Sequence, residues 1–473
     1  MRSMPIYWIG WASAARGFVG IGILGAVSGF YVENFGCRAA RADGEAVSAR
    51  LLAGGLAERG LADADVVVVN TCSVTAEADR DARAFVRKAR RVNPAARVVV
   101  TGCYAQRAPK EIAALPGVTA VVGNSHKALV PGIVLGLAGV GAQEEQLVPV
   151  VDLVGAARVW ADDGFAHSSI EVAQVTPGAQ TRPNLKIQEG CGNRCTFCVI
   201  PATRGASRSL AAEKVLGQVR GFVEAGGKEL VISGINLGQW GRDLAEKRTL
   251  AGLVREILTE TGLARLRLSS IEPMDWTAEL IGLMGEFGGR SLARHAHLPL
   301  QSGSDAVLRR MHRRYRPWHY AKKVTELVKA AGPELAVGAD VMVGFPGETE
   351  GEFRETYELV RELPFTYLHL FPFSARPGTR GWELHRVNPV AAGVMRERMR
   401  ELTVLAAEKM RRFREGFVGR ELPAITLHAS GLGAALTDNY LPVELMHTAV
   451  ANELGVVRVA GVSATGALQG VLV

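Results

Sequence analysis

Residues 186–198 read KIQEGCGNRCTFC, and this stretch decides how the middle of the chain is built. Its three cysteines, Cys191, Cys195 and Cys198, are separated by three residues and then by two. One loop with these gaps can wrap a metal cluster, and three ligands for four irons leave one iron open. A catalytic metal site keeps such an open position for its substrate. A structural zinc site is the alternative, but no further cysteine or histidine lies near enough in sequence to supply a fourth ligand.

The chain before this loop, from residue 29 to residue 153, alternates strand patterns with helix patterns. Valine runs at 66–69 and 98–100 are typical of strands buried on both faces, and helical stretches follow them. This alternation predicts an open parallel α/β sheet. Cys37, Cys72 and Cys103 come at the carboxyl ends of three of its strands, which is the edge of a parallel sheet where ligands bind.

These three thiols are therefore predicted to converge on one point, where they suit an iron–sulfur cluster better than zinc, which prefers four ligands. Small buried hydrophobes are the alternative, since free cysteine often has that role. We name Cys37, Cys72 and Cys103 the first triad, and Cys191, Cys195 and Cys198 the second triad.

The rest of the chain divides into a barrel and a small C-terminal domain. Six strand patterns alternate with amphipathic helices between residues 185 and 380, which predicts a partial barrel of parallel strands with its functional edge at the strand carboxyl ends. Short strands with glycine breaks after residue 413 indicate a small β-barrel. The predicted division is a leader at 1–28, an N-terminal domain at 29–153, a linker at 154–180, a barrel domain at 181–412 and a C-terminal domain at 413–473.

Composition excludes several classes of protein. Of the 473 residues 48% are hydrophobic and 22% are charged, which excludes a disordered chain. Six cysteines are too few for a disulfide scaffold, and free thiols suit a reducing compartment, so we expect a cytoplasmic protein. The charge-free run at 17–31 is shorter than the roughly 20 apolar residues of a membrane span. We expect no membrane partner, and we interpret the leader as the product of an upstream start codon rather than as an export signal.

Basic segments favour a nucleic acid as partner. The formal net charge is +8, which permits a polyanion without requiring one. Basic and aromatic residues alternate between 309 and 323, and residues 396–420 hold eight lysines and arginines against four glutamates. Such runs suit phosphate contacts, although they are more often solvated helix faces. Residues 421–473 hold one arginine against four acidic residues, so this domain is expected to bind by shape or stacking, or weakly.

The second triad, with Phe197 before its last cysteine, resembles the radical S-adenosylmethionine superfamily. Together with the first triad and several later phrases, it resembles the methylthiotransferases of that superfamily, from about residue 30 to nearly the C-terminus. The later phrases are Ile200-Pro201, Arg204-Gly205, Arg208-Ser209, His297-Leu298-Pro299-Leu300-Gln301-Ser302-Gly303-Ser304 and Gly344-Phe345-Pro346-Gly347-Glu348-Thr349.

The resemblance implies two [4Fe-4S] clusters, one on each triad, together with S-adenosylmethionine and an electron donor such as flavodoxin or ferredoxin. It implies that the cluster of the second triad reduces S-adenosylmethionine, and that the resulting deoxyadenosyl radical removes hydrogen from carbon 2 of an adenine. The first triad's cluster would hold the sulfur that becomes the methylthio group. No catalytic side chain is expected, because the cofactors carry the difficult chemistry. The residues implied to bind S-adenosylmethionine are Phe197, Gly234, Ile235, Asn236, Ser270, Glu272 and Gln301.

Three branches of the family differ in substrate: threonylcarbamoyladenosine in tRNA, isopentenyladenosine in tRNA, or an aspartate of a ribosomal protein. Phrases at 233–238, 268–273, 373–379 and 436–440 are most similar to the first branch, which modifies position 37 of tRNA. The last domain resembles the TRAM domain that family members use to hold tRNA. A non-catalytic RNA-binding protein that retains a structural cluster is the rival from another class. One departure from the family pattern is Ala40, where a polar residue is common, and which could shift the potential of the first cluster.

Overall fold

The computed structural model describes residues 27–140, 152–165, 167–170, 175, 177, 181–429 and 431–473. The interpretation of the leader at 1–28 lies almost wholly outside these residues. Among the helices within them, every one is too short or too polar to cross a bilayer.

The first unit packs helices against both faces of a parallel sheet. Its strands are β1 (Gly29–Asn34), β2 (Ala57–Glu58), β3 (Val66–Thr71), β4 (Arg97–Gly102), β5 (Val118–Gly123), β6 (Asp152–Val154) and β7 (Ala157–Trp160). Its helices are α1 (Arg38–Ala53), α2 (Ala76–Val92), α3 (Cys103–Arg107), α4 (Pro109–Ala113) and α5 (Val130–Leu137).

Strand β3 lies between β1 and β4 and pairs with both in parallel. Its four valines are fully buried, because successive side chains point to opposite faces of the sheet and both faces are covered. Val67 and Val69 enter one hydrophobic cluster, whereas Val66 and Val68 enter the other. The predicted open α/β sheet is confirmed.

The boundary predicted at residue 153 differs from the structure. Ala157–Trp160 pairs in parallel with β5, and Asp152–Val154 pairs antiparallel with it in turn. The interpretation of residues 154–180 as a linker is therefore wrong for the residues of β7. The four residues of β7 are too few to show the alternating pattern of a strand in sequence. They form a strand because pairing with β5 supplies their backbone hydrogen bonds.

The second unit is the predicted partial barrel. Its strands are β8 (Asn184–Glu189), β9 (Arg208–Ser209), β10 (Glu229–Gly234), β11 (Arg265–Leu268), β12 (His295–His297), β13 (Ala336–Val343) and β14 (Tyr367–Pro372). Its helices are α6 (Ile200–Arg204), α7 (Ala212–Glu224), α8 (Leu250–Glu260), α9 (Ala278–Phe287), α10 (Asp305–Arg310), α11 (Pro317–Ala331), α12 (Glu350–Glu362), α13 (Arg380–Val387) and α14 (Ala392–Glu415).

The strands form two sheets, with β8, β10 and β11 parallel in one and β12, β13 and β14 parallel in the other, and among the described barrel strands only the short β9 pairs antiparallel, with β8. Amphipathic helices cover the outer face, and one large hydrophobic cluster fills the space between them and the strands. The turn before α12 caps that helix, because Thr349 and Glu352 form a reciprocal capping box. The strand carboxyl ends thus form one edge of the unit.

The third unit is a closed antiparallel barrel with one parallel pair. Its strands are β15 (Glu421–Leu427), β16 (Ala434–Thr437), β17 (Pro442–Leu445), β18 (Leu454–Val462) and β19 (Leu468–Leu472). They close in the order β15-β16-β17-β19-β18, so the predicted β-barrel is confirmed. Helix α14 leads into it, since the helix continues to Glu415, slightly past the boundary predicted at residue 412.

The turn between β16 and β17 docks the third unit on the other two. Arg267 of β11 is fully buried and donates to the carbonyls of Thr437 and Asp438 at 3.1 and 3.0 Å. The Tyr440 hydroxyl accepts from Arg38 Nη2 of α1 at 3.0 Å. The phrase 436–440, which the sequence analysis used only as a family resemblance, is therefore the contact between all three units.

Candidate functional site

The first triad lies at the carboxyl edge of the first sheet, as predicted. Cys72 and Cys103 directly follow β3 and β4, and Cys37 precedes α1 after β1. These three strands are neighbours in the sheet, so their ends converge. Cys72 and Cys103 are buried, whereas Cys37 is exposed.

Two features show how closely the first triad is packed. Burial raises the pKa of the Cys72 thiol to about 12, and the nearby thiols of Cys103 and Cys37 add to the rise. Gly36 has a φ of 105°, and a Cβ on it would lie 2.7 Å from Cys72 Sγ, so a larger residue would displace that thiol. The backbone before Cys37 must therefore stay free of a side chain for the edge to form.

Position 40 contributes no polar side chain to this edge. Ala40 is buried, and its carbonyl accepts from Asn70 Nδ2 at 2.5 Å. The polar contacts of the triad come from elsewhere: Asn124 Nδ2 lies 3.5 Å and Arg204 Nε 3.2 Å from Cys103 Sγ. Arg204 belongs to the barrel unit, so the two units meet at this thiol.

The second triad lies in the loop between β8 and α6. The loop begins at Gly190, whose φ is 71° and whose place a side chain cannot take, because a Cβ would lie 2.0 Å from the Ala206 carbonyl oxygen. Cys191 N–H donates to the Gly205 carbonyl at 3.1 Å, and Cys198 N–H donates to the Cys195 carbonyl at 3.1 Å. These backbone hydrogen bonds close the loop, which carries all three thiols.

Polar groups also contact the second triad. Burial raises the pKa of the Cys198 thiol to about 12, and it raises the pKa of the Cys191 thiol as well. Asn236 Nδ2 lies 3.6 Å from Cys191 Sγ, and Arg313 Nη1 lies 3.2 Å from Cys195 Sγ. Donors of this kind stabilise thiolates, which are the form of cysteine that binds metal.

Two of the seven residues expected to bind S-adenosylmethionine connect to the second triad. Asn236 touches Cys191, and Glu272 forms an ion pair with Arg313, which donates to Cys195. The remaining five lie as follows: Phe197 packs on the barrel core, Gly234 ends β10, Ile235 and Ser270 are half-buried beyond β10 and β11, and Gln301 is buried with a φ of 66°.

Several acceptors at this edge are buried without a hydrogen bond. They are Asn236 Oδ1, Gln301 Oε1 and Ser269 Oγ. A buried unpaired acceptor costs about 1–3 kcal/mol, and native proteins rarely leave several together. This donor and acceptor set therefore fits a polar ligand such as S-adenosylmethionine at the carboxyl ends of β10, β11 and β12.

Neither triad has the spacing of a single-ion site. Among the described residues, only His297, Asp340 and His369 bring three ligand atoms within 4.8 Å of one another. At least one pair of thiols in each triad is therefore farther apart than that. Three thiols with this wider spacing fit a cluster of several irons better than one zinc ion.

His297, Asp340 and His369 were missed by the sequence analysis as site residues. They come from β12, β13 and β14, and both histidine rings approach Asp340 Oδ1, at 3.3 and 3.2 Å. Tyr367 packs against both histidines, at 5.9 and 5.3 Å between ring centroids. Each strand carries only one or two His or Asp residues, so the sequence held no pattern that would have identified the set.

A cavity of about 760 Å³ borders the second triad. None of the seven predicted cofactor residues is among its described lining residues, although Asn236 contacts Cys191, which is one of them. Its lining includes Arg194, Arg309, Arg310 and Arg380 beside the triad's three cysteines. The positive charge of these arginines suits an anionic partner.

The basic run at 309–323 does not act as one surface. Arg313 is buried against Glu272, and Arg310 pairs with Glu352 at 2.7 Å. Other members also carry ion pairs: Arg309 and Arg316 with Asp305, and Lys322 and Lys323 with Glu326. Only its Arg309–His312 portion reaches the cavity.

Residues 374–381, which follow the last barrel strand β14, contact residues next to both triads. Ser374 Oγ accepts from Ala76 N–H at 3.1 Å, and Arg376 donates to Ser73 Oγ at 3.0 Å, next to Cys72. At the other end, Gly381 N–H donates to the Thr196 carbonyl at 2.7 Å, inside the second triad's loop. The segment therefore fixes one triad relative to the other, which sequence alone did not indicate.

Two family models match the chain. The model described as "Uncharacterized protein family UPF0004" matches residues 29–123, and the model of the radical SAM superfamily matches residues 185–360. Each match holds one triad. The radical SAM match carries with it a [4Fe-4S] cluster and S-adenosylmethionine as the superfamily's cofactors.

Curated relatives match over most of their length. Threonylcarbamoyladenosine tRNA methylthiotransferase MtaB of Bacillus subtilis is 39% identical, over 80% of this chain and 82% of its own. The Aquifex aeolicus protein of the same name is 37% identical, over 87% and 95%. A tRNA-2-methylthio-N(6)-dimethylallyladenosine synthase of Sphingopyxis alaskensis is 35% identical, over 83% and 85%.

The fold also has a solved counterpart. The radical S-adenosylmethionine methyltransferase TsrM from Kitasatospora setae aligns with a TM-score of 0.53 at 15% identity, over 73% of this chain and 72% of that one. At this identity the likeness concerns the fold alone.

Proposed function

The chain belongs to the radical S-adenosylmethionine methylthiotransferases, and on that premise we propose that it adds a methylthio group to carbon 2 of N6-threonylcarbamoyladenosine at position 37 of tRNA. Relatives that carry this substrate in their names are 32–39% identical, and relatives named for dimethylallyladenosine are 32–35% identical. The upper end of the first range favours the first substrate. The basic lining of the cavity beside the second triad supports an RNA partner, because phosphates bind where arginines cluster.

The observation that carries the proposal is the pair of triads held together by the segment 374–381 and by the contact of Arg204 with Cys103. We propose that each triad holds one [4Fe-4S] cluster with an open iron. When bound, these clusters and S-adenosylmethionine supply the electron, the radical and the sulfur of the reaction. Transfer between two such groups requires a fixed distance, which the interdomain contacts provide.

The chain's own residues bind and orient these groups. Cys37, Cys72 and Cys103 would hold the first cluster, and Cys191, Cys195 and Cys198 the second. Asn236 and Glu272 would take polar groups of S-adenosylmethionine, with Gln301 and Ser270 beside them. Gly234 leaves room there, because a Cβ on it would lie 2.7 Å from Gln188 Oε1. Phe197 and Ile235 would supply apolar contacts.

We assign no acid or base, and we propose an electron donor of the flavodoxin or ferredoxin class. Exposed thiols such as Cys37 persist in a reducing compartment, which supports a cytoplasmic location. Isopentenyladenosine in tRNA and an aspartate of a ribosomal protein are the alternative substrates for the same chemistry. A non-catalytic RNA-binding protein with a structural cluster is the alternative class, and it differs from the proposal because it would not cleave S-adenosylmethionine.

Anaerobic reconstitution with iron and sulfide tests the two clusters. We expect about eight irons per chain, and about four in each of two variants that replace one triad by alanines. The two variants are matched controls for one another, since each keeps three cysteines. Loss of all iron in the first-triad variant would contradict independent sites, and zinc in place of iron would contradict both clusters.

Incubation with tRNA, S-adenosylmethionine and dithionite, followed by mass analysis of nucleosides, tests the substrate. A gain of a methylthio group on threonylcarbamoyladenosine is expected from the intact chain and from neither variant. The same gain on isopentenyladenosine would replace the substrate but keep the chemistry. Eight irons with no cleavage of S-adenosylmethionine would make the chain a non-catalytic cluster protein.

A further inference from the structure

Five charged side chains are buried where the first unit meets the barrel. Asp43 of α1 and Lys127 belong to the first unit, whereas Lys186, Glu189 and Arg204 belong to the barrel, and none is more than 7% exposed. Lys127 and Lys186 each bridge the two carboxylates, as does Arg204, whose Nη1 lies 3.0 Å from Asp43 and 2.8 Å from Glu189.

The formal charges of this cluster do not cancel. Three cations face two carboxylates, and an uncompensated buried charge costs several kcal/mol. Arg204 also reaches beyond the cluster, because its Nε lies 3.2 Å from Cys103 Sγ. A thiolate at Cys103, the form in which cysteine binds a metal, would supply the missing negative charge.

The same cluster also reaches the second triad. Glu189 precedes Gly190 and Cys191 in the chain, and Glu189 Oε1 accepts from Gly190 N–H at 3.2 Å. One arginine therefore links a thiol of the first triad to the strand end that carries the second. Asn124 adds a parallel link, since its Nδ2 donates to the Thr203 carbonyl at 2.8 Å and approaches Cys103 Sγ.

We propose that Arg204 is a positioning residue for the group held by the first triad: it orients Cys103 and raises the reduction potential of that group. The inference rests on the proposed function, because it requires an iron–sulfur cluster on Cys37, Cys72 and Cys103. A positive charge that donates to a ligand sulfur stabilises the reduced, more negative state of a cluster. Burial makes the effect strong, since water does not screen the charge.

The test uses the full-length chain with Cys191, Cys195 and Cys198 replaced by alanine, so that iron reports the first site alone. Three further changes are made in this background: Arg204→Gln, Arg204→Lys and Arg80→Gln. Arg80 is the matched control, because it is an arginine of the first unit in an exposed pair with Glu77. Iron per chain is counted, and the potential is measured by redox titration followed by electron paramagnetic resonance.

Arg204→Gln is expected to lower the reduction potential by at least about 59 mV, which for one electron is a tenfold change in the redox equilibrium constant. Arg204→Lys keeps the charge and loses the Nε donor, so it is expected to recover part of the shift. Arg80→Gln is expected to match its parent. If Arg204→Gln does not fold, Arg204→Lys decides, because a lysine keeps the two carboxylates paired.

Equal potentials in the parent and in the folded Arg204 variants, with four irons in each, would overturn this inference and leave the proposed function intact. A parent without iron at the first triad would overturn both. A smaller shift for Arg204→Lys than for Arg204→Gln distinguishes charge and orientation from a merely structural role, which would change iron content but not the potential.

Discussion

Replacement of Arg267 by methionine is expected to loosen the third unit from the barrel. Arg267 is fully buried, and its Nε donates to Glu229 at 2.9 Å. Its two terminal nitrogens donate to the carbonyls of Asp438 and Thr437, which lie in the turn that docks the third unit. Methionine keeps the length of the stem and removes all three hydrogen bonds.

The loss in the free energy of unfolding depends on the charge that stays buried, which is the Glu229 carboxylate. Removing one partner of a buried ion pair costs about 3–5 kcal/mol, because the other charge stays buried. Glu229 retains Arg265 at 3.3 Å, so we expect the lower part of that range, about 3–4 kcal/mol. At roughly 2.1 cal/mol/K per residue, the 473-residue chain unfolds with an entropy of about 1 kcal/mol/K, so the midpoint of thermal unfolding is expected to fall by about 3–4 °C.

Thermal unfolding and limited proteolysis measure the effect. Arg458→Met is the matched control, because Arg458 pairs with Glu421 at 2.8 Å on an exposed surface of the third unit. Such a pair contributes about 0–1 kcal/mol, so its loss is expected to move the midpoint by about 1 °C at most. Equal midpoints for the two variants, or no faster release of residues after 416 in the Arg267 variant, would refute the reasoning.

Three further outcomes are expected. Burial favours a higher pKa for Glu229, but its three arginine neighbours outweigh burial and hold the pKa below its ordinary value. The stability that the ionised carboxylate contributes is therefore present near neutral pH and is lost as the pH falls below about 4.5. Glu229→Gln should reduce the slope of the unfolding free energy against pH in that acid range by up to about 1.4 kcal/mol per pH unit, which unfolding titrations at several pH values measure. Arg376→Ala is expected to speed chelator removal of iron from the first triad about tenfold and not from the second, and equal rates would contradict the role of the segment 374–381. Arg194→Gln should weaken tRNA binding and reduce the slope of log affinity against log salt by about 0.7–0.9, whereas Arg400→Gln, in an exposed pair on α14, should not.

Much of the molecule could be predicted from local sequence patterns. The valines at 66–69 form a strand buried on both faces because every residue of the run is apolar, whichever face it points to. Cys72 and Cys103 follow strand ends, so their place at the sheet edge comes from chain order alone. The three-unit division follows from the alternation of strand and helix patterns along the chain, and the family resemblance follows from short motifs such as the second triad's loop. These features need no knowledge of distant contacts.

The tertiary structure decided what the charged residues do. Arg313 belongs to the basic run at 309–323, which in sequence suggests a surface for phosphate contacts, yet it is buried against Glu272 and Cys195. Lys186 and Glu189 are buried charges in β8, and the reason for them appears only when α1 brings Asp43 to them. A charge run looks the same in sequence whether its side chains meet water or a partner 100 residues away.

The sequence by itself determined the longer apolar strands, the six cysteines and their order, because hydrophobic period and motif spacing are properties of neighbouring residues. Only the tertiary structure decided that Arg204 meets Cys103, that the segment 374–381 bridges the triads, and that the turn at 437–440 joins three units. The physical reason is that a buried charge is stable only with a partner in place. That partner is supplied by the packing of whole units, which no local pattern encodes.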